Sequence, residues 1–394
     1  MTNALRPVSR EDGFTITEMM VSTAVVLMVL AGALQTFRNA LAINDSAAQL
    51  ADANQNLRAG TNTLVRDLLM AGRIIGTEGI AMPTGPGITF ARPGPAVLNF
   101  DVVADANGDS TVQLPAISTG YQLGPVINGS PTDIITIMTV DEFMPVVSTP
   151  PLPANVAAPL ANEGDISADG TYVQFGVTSQ WIDGDTVNDT PKIKVGDLVL
   201  YVGTQGNAIQ TVTRIDTVAH RIYFDANNAN DFFHFNQPNA TTPLCATQPC
   251  PTGRPLGALK NKALATDLWR TPDVKVTLFK AVMITYYVDN TTTPGTPRLT
   301  RVLNHFTPQA LAGVVEDLDL TYDLYDGSVN PVALKWLPQT ISGQLYTDNQ
   351  IRKVNIHVGV RSETISKPTQ DYVRNHITTS VNVRSLTAVD KYPS

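Results

Sequence analysis

Glu18 is the residue in this sequence that most clearly needs a partner for its charge. It is the only charged side chain in residues 14–34, FTITEMMVSTAVVLMVLAGAL. A carboxylate near the start of a membrane-spanning helix costs roughly 2–3 kcal/mol or more unless a partner neutralises it. Cleavage after Gly13 would give Phe14 a free α-amino group four residues before Glu18, which is one helical turn and suits an ion pair. The same amine could equally reach Glu18 of a neighbouring copy of the chain.

The segment that contains Glu18 is long enough to cross a bilayer as a helix, since about 20 apolar residues are needed. Arg6 and Arg10 precede it, and the 394-residue chain has a net charge of −8, which favours a cytoplasmic N-terminus. In an ordinary secretory signal, the small residues of the cleavage site follow the apolar region. Here Gly13 precedes it, so cleavage would remove a leader of residues 1–13 and leave the apolar helix on the mature protein. A signal anchor that tolerates one polar residue is the alternative.

The run Gly13-Phe14-Thr15-Ile16-Thr17-Glu18-Met19 resembles the type III signal of type IV prepilins and type II secretion pseudopilins. The resemblance implies that prepilin peptidase cuts between Gly13 and Phe14 and that Phe14 is then N-methylated. It also implies that Glu18 neutralises the N-terminal amine of an adjoining subunit during assembly. Two features depart from the family pattern, because the leader ends in acidic residues and the helix lacks a proline after its first turns. The missing proline fits a minor pilin or a pseudopilin better than a major pilin.

The helical pattern continues beyond the apolar segment. Apolar residues recur every seven positions at Ile43, Leu50, Leu57 and Leu64, with Ala47 and Leu68 beside that line. No proline occurs between residues 14 and 82, and Gly72 and Gly76 mark an end, so we predict a helix over residues 14–76. A single apolar stripe on a polar helix packs against another element. We favour the chain's own β-sheet over a coiled coil with another subunit, because Asn54 and Thr61 interrupt the second apolar line.

The rest of the chain, residues 77–394, is typical of strands joined by turns, with alternating apolar and polar residues and many Gly, Pro, Asn and Thr. The predicted strands are Ile134–Val140, Asp197–Val202, Gln210–Ile215, Arg221–Asp225, Val274–Val288, Arg298–Leu303, Leu318–Leu324, Arg352–Val360 and Ile377–Arg384. The predicted fold class is therefore α+β and type IV pilin-like. Its long N-terminal helix, transmembrane in the N-terminal half, packs on an antiparallel β-sheet, and residues 180–265 form a β-rich insertion.

Several patches between residue 13 and about residue 385 resemble PilW-type minor pilins and the related J-type pseudopilins. These patches are Asn56–Arg58, Leu68–Arg73, Pro131–Ile137, Val195–Leu200, Arg298–Arg301, Val315–Leu318 and Arg352–Ile356. The resemblance implies a minor pilin that takes part in type IV pilus assembly at the pilus tip, by priming it or by presenting adhesive partners. The alternatives are a type II secretion pseudopilin and, from another class, a membrane-anchored adhesin or enzyme that uses prepilin export.

The same resemblance implies partners and a location. The implied partners are prepilin peptidase, other minor and major pilins, inner-membrane lipid before assembly, and a tip adhesin. The precursor is expected in the bacterial inner membrane as a single-pass protein with its head in the periplasm. The mature protein is then expected in the pilus at the cell surface.

No residue combination in the sequence predicts catalysis. The five histidines are His220, His234, His305, His357 and His376. No two of them lie at i and i+4, and the sequence contains no Cys-x-x-Cys, nucleophile elbow or Walker loop. A sequence pI of about 5.1 argues against a broad nucleic-acid surface, which needs Lys and Arg to replace phosphate counterions. We therefore predict a protein that is not an enzyme, has no nucleic-acid partner and needs no cofactor.

The two cysteines, Cys245 and Cys250, lie close enough in sequence to close a small loop. A periplasmic head would face an oxidising compartment, so we expect a disulfide that contributes ~2 kcal/mol by pinning a Pro-rich loop. Two free thiols or a partial metal site are the alternative.

The run from Asp105 to Ser110 places oxygen ligands at positions 1, 3 and 5 of an EF-hand-like loop, namely Asp105, Asn107 and Asp109. Ala116 stands where the loop's final glutamate is expected. Asp, Asn and Gly are also the residues that form turns. We favour a plain turn, with a calcium site as the alternative.

Overall fold

The computed structural model describes residues 13–75, 79–82, 89–95, 98–100, 113–148, 163–167, 170–175, 193–203, 206–236, 277–293, 295–325, 327, 329–366 and 370–383. Its α-helix is α1, Ile16–Met70, and a short 3-10 helix lies at Asp348–Gln350. The first strands are β1 Ile80–Ala81, β2 Ala91–Arg92, β3 Leu98–Asn99, β4 Gln113–Leu114, β5 Ile117–Ser118, β6 Val126–Ile127, β7 Ser130–Pro131, β8 Ile135–Ser148, β9 Glu163–Ile166, β10 Tyr172–Phe175 and β11 Leu198–Gly203. The later strands are β12 Gly206–Thr211, β13 Arg214–Asp216, β14 Arg221–Tyr223, β15 Thr277–Asp289, β16 Arg298–Leu303, β17 Gln309–Leu324, β18 Gln339–Ile341, β19 Gln344–Tyr346, β20 Ile351–Ser366 and β21 Asp371–Asn382.

The helix α1 falls inside the predicted range of residues 14–76 but ends at Met70. The backbone leaves the helical region at Ala71, where φ is −56° and ψ is 138°. Gly72 then takes φ +71° and Ile74 φ +69°. Left-handed backbone at these positions ends the helix, as it commonly does after the last helical turn. Of the two glycines predicted to mark the end, Gly72 lies at the end of the helix, and Gly76 lies outside the described residues.

Of the described strands, 13 form one large sheet around β15, and the others form the two-stranded sheets β1–β4, β2–β3, β6–β7 and β18–β19. One edge of β15 pairs with β8, while the other pairs first with β11 and then with β16. From β16 the sheet continues through β17 and β20 to β21, and from β8 it continues through β9, β10 and β14 to β13. The β8–β9 contact is parallel, and the other pairings of the described strands are antiparallel. The chain is thus an α+β protein with one long N-terminal helix and a large antiparallel sheet.

Each predicted strand overlaps an observed one. The predicted strand Gln210–Ile215 is divided between β12 and β13, because the backbone changes partners there: the Val212 N–H donates to the Asp197 carbonyl and the Thr213 N–H to the Tyr223 carbonyl. In the described part of residues 180–265, β11 to β14 belong to the same sheet as β15.

The C-terminal half of α1 packs on β17, β20 and β21. Leu57, Leu64 and Leu68 are buried there, as predicted for a stripe that covers the chain's own sheet. Burial of each leucine contributes roughly 2 kcal/mol. The approach is close at Gly60, where an added Cβ would lie 2.9 Å from the Cβ of Ala312.

The N-terminal part of the predicted stripe does not follow this pattern. Ile43 is 66% exposed and Leu50 is 37% exposed, and Ala47 is also exposed. The prediction that the sheet covers the whole stripe was therefore wrong for these three residues. The helix meets Ser366, the last residue of β20, at Ser46 and extends beyond the sheet from there.

The two polar residues that interrupt the second apolar line have partners of their own. Asn54 accepts a hydrogen bond from the Asn375 side-chain amide of β21. The buried hydroxyl of Thr61 donates to the Leu57 carbonyl at 2.8 Å, one turn earlier in the helix. Both side chains therefore stay hydrogen-bonded while the helix packs on the sheet.

Candidate membrane and assembly site

Glu18 starts the helix through a capping box with Thr15. The Glu18 backbone N–H donates to the Thr15 hydroxyl at 3.3 Å, and the Thr15 backbone N–H donates to Glu18 Oε2 at 3.0 Å. The Thr15 hydroxyl also donates to Glu18 Oε2 at 2.9 Å. This exchange satisfies N–H groups that a helix start otherwise leaves open, and it places the carboxylate at the positive end of the helix dipole. The Thr-x-x-Glu pattern of a capping box is present in the sequence, although Glu18 was predicted only as an ion-pair partner.

The predicted processing bond, between Gly13 and Phe14, lies just before the helix. Both residues are exposed and non-helical, and the Phe14 side chain is 85% exposed. A Cβ built on Gly13 would meet no atom within 4 Å. The fold therefore does not itself require glycine at this position, and the bond is accessible from solvent.

The first half of α1 exposes nearly all of its apolar surface. The helix is long and apolar enough to cross a membrane, and no part of its most apolar stretch is buried in the protein. The large apolar side chains that are more than half exposed there are Ile16, Met19, Met20, Val21, Val25, Val26, Leu27, Met28, Val29, Leu30, Leu34, Phe37, Leu41 and Ile43. A contiguous apolar surface of this extent marks a membrane or protein contact.

The hydroxyl groups of this apolar stretch are satisfied within the helix. Ser22 Oγ donates to the Met19 carbonyl at 3.1 Å, and Thr36 Oγ1 donates to the Gly32 carbonyl at 2.9 Å. Thr23 Oγ1 likewise donates to the Met19 carbonyl. Such bonds to carbonyls of the preceding turn allow hydroxyls to enter hydrocarbon, where water is absent. Glu18 is thus the one charged group of this stretch, and it lies at its beginning.

The opposite end of α1 is fixed to the sheet by Asp67, which is fully buried. Asp67 Oδ2 accepts a hydrogen bond from the Tyr286 hydroxyl at 2.6 Å and from Arg301 Nε at 2.7 Å. Tyr286 on β15 and Arg301 on β16 are direct partners in the sheet. Burial, together with the hydrogen bond to Asp67, raises the pKa of Tyr286. Asp67 was not predicted as a functional residue, although an acid between Leu64 and Leu68 on a buried stripe is a signal that could have identified it.

Further hydrogen bonds join the helix to the body. Thr139 Oγ1 donates to the Met70 carbonyl at 2.8 Å, which satisfies one of the open carbonyls at the helix end. At the N-terminal limit of the contact between the helix and the sheet, the hydroxyls of Ser46 and Ser366 lie 2.8 Å apart.

The segment of residues 16–45 extends beyond these contacts for roughly 45 Å at 1.5 Å per residue. A bilayer needs about 30 Å of this, so the remainder can span the polar interface.

The other predicted sites lie outside the described residues. This holds for the leader before residue 13, for Cys245 and Cys250, and for the loop motif of residues 105–110. Among the residues that the structure describes, no three His, Cys, Asp or Glu side chains are placed to hold a metal ion. A scan against protein-family models, a search of curated proteins and a search of solved structures each found no match.

Proposed function

We propose that the chain is a minor-pilin-like subunit that is anchored in the membrane, cut by prepilin peptidase after Gly13, and then assembled into a pilus-like filament. The observation that carries the proposal is a helix with two different halves. Residues 16–34 at its start are mostly apolar and uncovered, while its second half is fixed to a β-sheet by buried contacts. A carboxylate stands at its start, next to an accessible Gly13–Phe14 bond.

The chemistry of Glu18 supports the link between processing and assembly. In the uncut chain its carboxylate accepts hydrogen bonds from Thr15, which is a neutral donor and leaves the negative charge in place. Cleavage would add a cationic amine at Phe14, one residue before Thr15. In a filament, this amine could pair with Glu18 of a neighbouring subunit, so that the charge enters an apolar environment with a partner.

The size of the sheet favours a position at the filament end. The main path of the sheet contains ten strands, which at 4.7–4.9 Å each gives a width of roughly 45 Å. Packed helices lie only about 8–10 Å apart. A head this wide is difficult to repeat at every helix position, whereas a subunit at the tip has neighbours on one side only. The tip is also where such a head could present other proteins.

Intact mass after co-expression with prepilin peptidase tests the proposal. We expect the full chain to shorten to residues 14–394 and to gain one methyl group at Phe14. Gly13→Ala should block or slow this cleavage, and Gly32→Ala is the matched control. Neither glycine has an atom within 4 Å of a built Cβ, so neither substitution strains the fold. A chain that keeps its leader in the presence of active peptidase would refute the proposal.

A further inference from the structure

A pocket of about 220 Å³ lies on the polar side of β17, β20 and β21. Its lining includes Asp319 and Thr321 of β17, Asn355 of β20 and Thr378 of β21. On β17 and β20 these residues alternate with buried apolar ones, as on any sheet with one face in the core. Loops carrying Tyr121 and Lys335 complete the walls.

The hydrogen-bonding groups of the pocket favour a ligand that both donates and accepts hydrogen bonds. A carboxylate such as Asp319 only accepts hydrogen bonds, and an ammonium group such as Lys335 only donates them. An anion would meet Asp319 and Asp133, and a cation would meet Lys335. The threonine hydroxyls both donate and accept. A neutral ligand whose own groups both donate and accept, as hydroxyls do, can pair with Asp319 and with Lys335 at the same time.

An aromatic wall adds an apolar contact. Tyr121 lines the pocket, and its ring packs against Trp336 with centroids 5.6 Å apart and the planes tilted by 39°. Trp336 is 47% exposed, although burial of so large an apolar side chain would be favourable. A rigid aromatic surface beside convergent polar groups suits a ring that is apolar on its C–H face and polar at its edge.

Three of the polar lining side chains, those of Asn355, His357 and Thr378, are already held in place. His357 Nδ1 and Thr378 Oγ1 lie 3.0 Å apart, and Asn355 Nδ2 donates to Asp323 Oδ1 at 3.0 Å. The loop with Lys335 and Trp336 is fixed because Leu334 exchanges backbone hydrogen bonds with Tyr322 at 2.8 and 2.9 Å. A site that is built before the ligand arrives loses less conformational entropy on binding.

We propose that this pocket binds one ring of a neutral carbohydrate, with the ring's C–H face on Tyr121 and its hydroxyls on Asp319, Lys335 and the threonines. The size fits a single sugar residue, so the site would read the end or one unit of a longer glycan. The proposal does not depend on filament assembly, since the pocket lies entirely within one chain.

Ligand-observed NMR and calorimetry on the full chain test this proposal. The protein is held in dodecylphosphocholine micelles, which carry no sugar head group. The neutral probes are glucose, galactose, mannose and N-acetylglucosamine, and the charged probes are glucosamine and N-acetylneuraminic acid. We expect saturable millimolar binding of at least one neutral sugar and weaker binding of both charged ones.

Variants assign the binding to this pocket. Tyr121→Ala and Asp319→Asn should each weaken the affinity about tenfold or more, whereas Tyr121→Phe keeps the aromatic face and should stay within a few fold of the parent. Val218→Ala, at a 90% exposed position in the turn between β13 and β14, is the control for a remote change. Unchanged melting temperatures would show that each variant is folded. Failure of all four neutral sugars, tighter binding of a charged probe, or binding that ignores Tyr121→Ala would each overturn the proposal.

Discussion

Removal of the Asp67 carboxylate should be among the most destabilising single changes in this chain. In Asp67→Ala, the Arg301 guanidinium, whose side chain is only 14% exposed, loses its buried counter-charge, and the Tyr286 hydroxyl loses its acceptor. Breaking one partner out of a buried ion pair typically costs about 3–5 kcal/mol, because the remaining charge stays buried. We expect a loss in this range, which is a large part of an ordinary domain's stability.

The assay is urea unfolding of the full chain in micelles, followed by near-ultraviolet circular dichroism, with the slope compared between variants. Arg66→Ala is the matched control, since Arg66 is the neighbouring residue and its Nε lies 3.8 Å from Asp67 Oδ1. Its side chain is 71% exposed, so its ion pair should contribute less than about 1 kcal/mol. If Asp67→Ala costs less than about 1 kcal/mol, or no more than Arg66→Ala, then Asp67 does not fix the helix as argued.

A combined variant separates the ion pair from the packing around it. In Asp67→Leu/Tyr286→Phe/Arg301→Met, all three polar partners are replaced together, so no buried charge or hydroxyl is left unpaired. Replacing a buried ion pair by apolar residues is often close to neutral. We expect this variant to recover most of the stability that Asp67→Ala loses. If the combined variant is as unstable as Asp67→Ala, then side-chain packing at this site, and not the buried charge, determines the loss of stability.

Three further outcomes follow from other parts of the molecule. Glu18→Gln should be cleaved by prepilin peptidase as the parent is, but little of it should be recovered in sheared filaments. Recovery equal to that of the parent would contradict the proposed role of the charge. Burial raises the pKa of Asp133 from 3.8 to about 6, so the folded state favours the protonated acid, and its stabilising contribution is lost as pH rises through that value. The stability difference between the parent and Asp133→Asn should therefore fall by about 2–3 kcal/mol between pH 4 and pH 7, and a constant difference would contradict this. Gly60→Val should cost about 1–3 kcal/mol in urea unfolding through overpacking against Ala312, and Ala312→Gly in the same chain should return part of it.

Local elements of the fold were predictable because their signals lie in adjacent residues. The helix followed from the apolar stretch and the absence of proline, and the strands followed from alternation between polar and apolar residues. Leu57, Leu64 and Leu68 were correctly assigned to the chain's own sheet. Ile43 and Leu50 carry the same seven-residue spacing but lie exposed, since periodicity does not tell where the sheet beneath the helix ends.

Long-range pairing was not predictable from the sequence. Asp67 looks like a polar interruption of the stripe, and its partners stand 219 and 234 residues away along the chain. The division of one edge of β15 between β11 and β16 likewise depends on how far each strand runs, which local patterns do not fix. The pocket with Tyr121 and Asp319 joins residues about 200 positions apart for the same reason.

The continuity of α1 has a mechanical consequence for the proposed assembly. The helix runs from Ile16 to Met70 with no proline, the commonest cause of sharp kinks. A subunit that leaves the membrane must move its apolar half and its head together. Because Asp67 and the buried leucines join the second half of the helix to the sheet, displacement of the first half is transmitted to the head without an intervening hinge. The same buried contacts that stabilise the fold would then keep the head attached during extraction, so a loosened variant such as Asp67→Ala should fail in assembly before it fails in processing.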